Sequence, residues 1–192
     1  MKNIQTPIRL TLALASAAIL AGCATPARVE QMQVDSSMAV RAAAVNSPLK
    51  DNVAIKDTTG GKDTNPAWVS NIGSIEFERS IEASLRNVGL LSANRQAGKY
   101  QLTTHMLKVD QPLFGASMTV TTTVQYTLTE RATGKEVLAK TLVTPYTAAW
   151  DAAFLGSERL KLANEGSARA SIQALIDALL ALKVDGVEVR KP

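Results

Sequence analysis

The chain of 192 residues holds one cysteine, Cys23, and one histidine, His105. Those two counts bound the chemistry. A disulfide needs a second thiol, and a zinc site built on one histidine would leave carboxylates to do most of the binding. His105 would have to serve as the base of any Ser-His-Asp or Cys-His arrangement. No G-x-S-x-G elbow accompanies it: Gly115-Ala116-Ser117-Met118-Thr119 lacks the final glycine and the strand-to-helix turn that exposes a nucleophile. The 17 acidic residues are scattered and single out no glycosidase pair. Gly60-Gly61-Lys62 is followed by Asp63, with no earlier glycine in register, so it is not a phosphate loop. No metal and no cofactor is expected.

One spacing remains to weigh. His105-Met106-Leu107-Lys108-Val109-Asp110 matches H-x4-D and resembles the signature of membrane-associated glycerolipid and lipid A acyltransferases. That resemblance implies a histidine that deprotonates an acceptor hydroxyl and an aspartate that orients it. The six residues fall on a predicted strand, where side chains five apart point to opposite faces, so contact requires Asp110 to fold back at the turn. The further glycine and arginine blocks of those enzymes are absent. An acyltransferase using His105 and Asp110 is therefore the alternative reading, with His105 otherwise an ordinary sheet residue.

The surroundings of Cys23 are more specific. Lys2 and Arg9 form a short positive region, Leu10 to Leu20 is apolar without a charge, and Ala21 and Gly22 are small. The apolar run is shorter than the roughly 20 residues that cross a hydrocarbon core. It fits a secretory signal. Leu20-Ala21-Gly22-Cys23 resembles the lipobox of bacterial lipoproteins, which implies cleavage before Cys23, a diacylglycerol on its sulfur and an acyl group on its new amine. Multiple acyl chains anchor stably where one binds reversibly. In that family an aspartate after the cysteine favours the inner membrane; Ala24 stands here, which implies the outer membrane, facing the periplasm.

The remaining chain must supply a folded body. Residues 1–22 are expected as signal peptide, 23–50 as a lipidated N-terminus and flexible tether, and 51–192 as one domain. Asn52 to Thr58 reads as a strand. Phe77, Ile81, Leu85 and Val88 recur at helical steps over about 72–88, with Gly89 and Leu90 placed for a left-handed cap. Three further strands follow near 100–109, 118–129 and 137–146, joined by short turns. In the second of these, Met118, Val120, Val124, Tyr126 and Leu128 share a face opposite a row of threonines. A long helix follows, with Ser157 as a candidate N-cap; Asn164 and Gly166 interrupt its stripe and leave room for a kink.

This order predicts an α+β fold: an antiparallel β-meander sheet of three to four strands with two amphipathic helices packed on one face. Trp68, Trp150, Tyr126 and Tyr146 are expected mainly in core and sheet positions. Leu113 and Phe114, in the apolar tip between two strands, either project as a partner or lipid contact or fold back over the sheet.

The net charge is +4, and without Lys2 and Arg9 the mature chain is close to neutral, with no basic stripe to suggest nucleic acid. The layout resembles that of small outer-membrane lipoproteins that assist lipopolysaccharide assembly or lipid transport. It implies a non-enzymatic accessory factor that is anchored through Cys23 and acts on an envelope protein or lipid. A purely structural envelope lipoprotein is the remaining alternative.

Overall fold

The computed structural model describes residues 25–65 and 69–182. The expected signal peptide, Cys23 and Trp68 lie outside the described residues. Two short helices come first, α1 (Val29–Met32) and α2 (Met38–Val45), followed by β1 (Val53–Thr59) and α3 (Ser74–Val88). The chain continues through β2 (Tyr100–Asp110), β3 (Met118–Glu130), β4 (Glu136–Ala148) and α4 (Gly156–Leu180).

The sheet has the order β1-β2-β3-β4. Strands β2, β3 and β4 form the expected antiparallel meander. Strand β1 joins it in parallel with β2, so the sheet is mixed. The intervening α3 carries the chain back to the end from which β1 started, and a helical crossover of this kind is what parallel neighbours require.

Helices α3 and α4 cover one face. From α3, Phe77, Ile81, Leu85 and Val88 are buried against Leu102, Val124, Tyr126 and Leu128 of the sheet and Ile172, Leu175, Ile176 and Leu179 of α4. The helix ends as its composition dictates. Gly89 takes φ 86°, a left-handed conformation that costs least without a Cβ. The amides of Gly89 and Leu90 then return to the carbonyls of Arg86 and Leu85, and Leu90 is buried behind them.

Two expectations are corrected. Residues 25–50 do not hang free as a tether. Ala27, Met32, Val34, Ala44 and Leu49 are buried in the same core as α3 and α4, and the Val34 amide donates to Ser84 Oγ on α3 at 2.9 Å. Fully burying a side chain the size of Met32 or Leu49 contributes about 1.5–3 kcal/mol, enough to hold a short polar segment in place. Nor is α4 kinked. It runs unbroken from Gly156, starting before Ser157, which leaves Ser157 inside the first turn rather than at the cap.

Asn164 and Gly166 have packing roles instead. Asn164 Nδ2 donates to the Ser70 carbonyl at 2.8 Å, and its Oδ1 accepts from Gln111 Nε2 at 2.7 Å. At Gly166 the Tyr146 ring lies so close that an added Cβ would sit 2.2 Å from its Cδ1.

Candidate functional site

His105 and Asp110 are both on the surface, on the outer face of the sheet. The alternation is reset by a bulge at Leu107: His105 pairs with Gln125, Asp110 with Thr121, and Leu107 has no opposite number. The expected placement on opposite faces is therefore corrected. The two side chains are still four ladder positions apart, about 13 Å along the strand. His105 Nδ1 shares a hydrogen bond of 2.7 Å with Thr59 Oγ1, and Asp110 Oδ1 is paired with Lys108 Nζ at 2.7 Å. The structure does not bring this pair together as a base and its orienting carboxylate. Among the described residues no cluster of three His, Cys, Asp or Glu could hold a metal ion.

The outer face carries the threonine row. Thr119 and Thr147 bond through their hydroxyls at 2.8 Å, and Thr121, Thr123 and Thr127 remain partly accessible. The inner face buries Thr104 of β2 and Thr122 of β3, and α4 supplies Ser167 opposite Thr122. Ser167 Oγ accepts from the Thr122 amide at 2.9 Å and donates to the Thr144 carbonyl at 2.7 Å. Tyr126 is equally deep, its hydroxyl 2.8 Å from Ser171 Oγ. Burial away from water holds that phenol well above its ordinary pKa, only partly offset by the Ser171 bond.

A groove of about 560 Å³ runs between α1, the outer strand β4 and α4, lined by Gln31, Tyr146, Gly166 and Arg169 among others. Its floor exists because Gly166 lets the Tyr146 ring lie flat on the helix. Arg169 closes it by donating to the Gln31 carbonyl. Its lining is mixed in polarity and includes no set of groups that would perform chemistry.

The largest departure from ordinary surface chemistry is at one end of the sheet. Leu113 and Phe114 project, 90% and 85% exposed, so the arrangement in which they fold back is not the one adopted. Two more large apolar residues stand at this end, Trp150 at 69% exposure and Phe154, which the sequence did not single out, at 95%. The ladder fixes their common location. Asp110 pairs with Thr121 and Met118 with Ala148, so the β2–β3 and β4–α4 connections leave the sheet at the same edge. Trp150, expected in a core or sheet position, is thus corrected to a loop and Tyr126 stays in the core. The signal was the stretch Ala149 to Ser157 (AWDAAFLGS), with three large apolar side chains, no period and a single charge.

The first described residue is held at this end. Ser70 Oγ donates to the Thr25 carbonyl at 2.7 Å, and Lys161 Nζ donates to Thr25 Oγ1 at 3.0 Å. Two residues on, the Ala27 amide donates to the Asn71 carbonyl, and Arg28 forms a fork with the buried carboxylate of Glu165. The fork and its charge raise the Arg28 guanidinium pKa further above its already high value.

No protein-family profile and no curated protein matches the sequence. Solved structures resemble the chain to different degrees. A Xanthomonas campestris protein of the family DUF330 superposes with a TM-score of 0.54 at 10% identity, over 70% of this chain and 86% of that one. A minor lipoprotein from Acinetobacter baumannii matches with a TM-score of 0.43 at 14% identity, over 69% and 92%. At these identities the likeness is one of fold: a mixed four-stranded sheet with helices on one face is the architecture this chain shares with the Xanthomonas protein.

Proposed function

We propose that this chain is a bacterial cell-envelope lipoprotein, anchored by lipid at Cys23, that acts as a non-enzymatic accessory or assembly factor rather than as a catalyst. The observation that carries the reading is the ordered signal of positive charge, apolar run, small residues and sole cysteine ending in Leu20-Ala21-Gly22-Cys23. Ala24 favours the outer membrane, with the domain facing the periplasm. A role in lipid transport or lipopolysaccharide assembly rests on layout alone. The acyltransferase alternative lacks its central contact, since His105 is engaged by Thr59 and Asp110 by Lys108.

The test is metabolic labelling with palmitate followed by membrane fractionation. The wild-type chain should take label and sediment with outer membranes, while Cys23→Ser should lose both properties. A wild-type chain that stays unlabelled and soluble overturns the proposal. Loss of the gene that leaves envelope permeability unchanged would favour the purely structural role over the accessory one.

A further inference from the structure

The apolar end of the sheet and the start of the described chain coincide. Gln111, the first residue after β2, donates through Nε2 to the Ser70 carbonyl at 3.1 Å, and Ser70 in turn holds Thr25. Lys161, in the second turn of α4 just after the β4–α4 connection, holds Thr25 from the other side. Cys23 is two residues earlier, so the backbone between them spans no more than about 7 Å.

From this geometry we infer that Leu113, Phe114, Trp150 and Phe154 form a membrane-seating surface that enters the interfacial layer of the same bilayer that holds the Cys23 lipid. The inference rests on the lipoprotein reading above. A leash of two residues keeps this end of the sheet close to the membrane surface, where its exposed side chains can meet the headgroup layer before a bulky protein partner does. Their chemistry suits that layer. Tryptophan is enriched at membrane interfaces, where its apolar body and N–H meet different surroundings, and phenylalanine and leucine anchor interfacial segments.

Charge agrees as well. Residues 111–117 and 149–157 together carry one charged side chain, Asp151, so contact would be apolar and not a basic patch on anionic lipid. Exposed apolar clusters of this kind on a folded domain mark an interaction surface. Among the described residues no helix is long and apolar enough to cross a membrane, so this would be seating at the surface and not insertion of a span.

The experiment exploits the single cysteine. The full mature lipoprotein is placed in phosphatidylethanolamine/phosphatidylglycerol vesicles as Phe114→Cys, Phe154→Cys or Thr133→Cys and labelled on the new thiol with an environment-sensitive fluorophore. Thr133 lies in the β3–β4 turn at the far end of the sheet. The tip probes should shift to shorter wavelength and lose most of their emission to nitroxide-bearing lipids, at low and at high salt, while the Thr133 probe does neither. Tip probes as hydrated as Thr133 on vesicle-bound protein overturn the inference, as do probes that are dry yet untouched by lipid quenchers, which would place protein there. The wild-type chain is the separate control: if it takes label, Cys23 is free, and the lipoprotein reading fails along with the seating that depends on it.

Discussion

Arg28→Ala tests whether the N-terminal segment is part of the folded body. Glu165 is 2% exposed and has its two carboxylate oxygens met by Arg28 Nε at 2.8 Å, Arg28 Nη2 at 2.9 Å and the Arg28 amide at 3.0 Å. Removing one partner of a buried pair costs about 3–5 kcal/mol, because the other charge is left without compensation. Arg28 itself is 46% exposed, so water enters where the guanidinium stood, and the backbone amide still donates. The expected loss is therefore about 2–3 kcal/mol. For a domain of this size that lowers Tm by about 5–10 °C.

The assay is thermal and urea denaturation followed by circular dichroism at neutral pH. Replacing Glu165 by Gln in the Arg28→Ala background removes the stranded charge and should recover part of the loss. The coupling between the two substitutions then isolates the interaction. An Arg28→Ala protein within about 0.5 kcal/mol of wild type, the range of ordinary surface changes, would refute the docking of residues 25–50 and restore a free tether.

Ser167→Ala leaves the buried Thr122 amide without its acceptor and should lower stability by about 1–3 kcal/mol in urea denaturation. Tyr126 governs the alkaline limb: its folded pKa lies above the ordinary value of 10.0, so its contribution is fully present below pH 10 and is lost as pH climbs toward the folded pKa. Tyr126→Phe should flatten that fall in a series of melts from pH 8 to pH 12, whereas an unchanged slope would remove Tyr126 as its cause. Gly166→Ala should destabilise the wild type by displacing the Tyr146 ring, yet stabilise a Tyr146→Ala background by about 1 kcal/mol through helix propensity. His105→Ala should leave both stability and envelope function unchanged; loss of function with intact folding would reopen the acyltransferase reading.

What could be read from the residues was what depends on neighbours in sequence. The alternation of β3, the four-residue stripe of α3 and the Gly89-Leu90 cap are local periodicities and local backbone demands, and each marks its element. Pairing between distant segments is not written locally. Nothing in Asn52 to Thr58 says that β1 lies parallel to β2, and the buried residues Met32, Val34, Ala44 and Leu49 follow no period because two short helices and the turns between them present each one separately. The bulge at Leu107 escaped for the same reason: a strand of alternating residues does not announce where its partner skips one. The candidate site divides likewise. Leu113 and Phe114 were visible in an apolar turn, whereas Trp150 and Phe154 join them only through the β3–β4 register.

The grip on Thr25 also sets an order of events. Its partners Ser70 and Lys161 are 45 and 136 residues downstream, so the ground beside Cys23 closes only after most of the polypeptide has emerged. Thr25 is thereby loose on the young chain and held from two sides on the finished fold, where the body of the protein grips its own beginning.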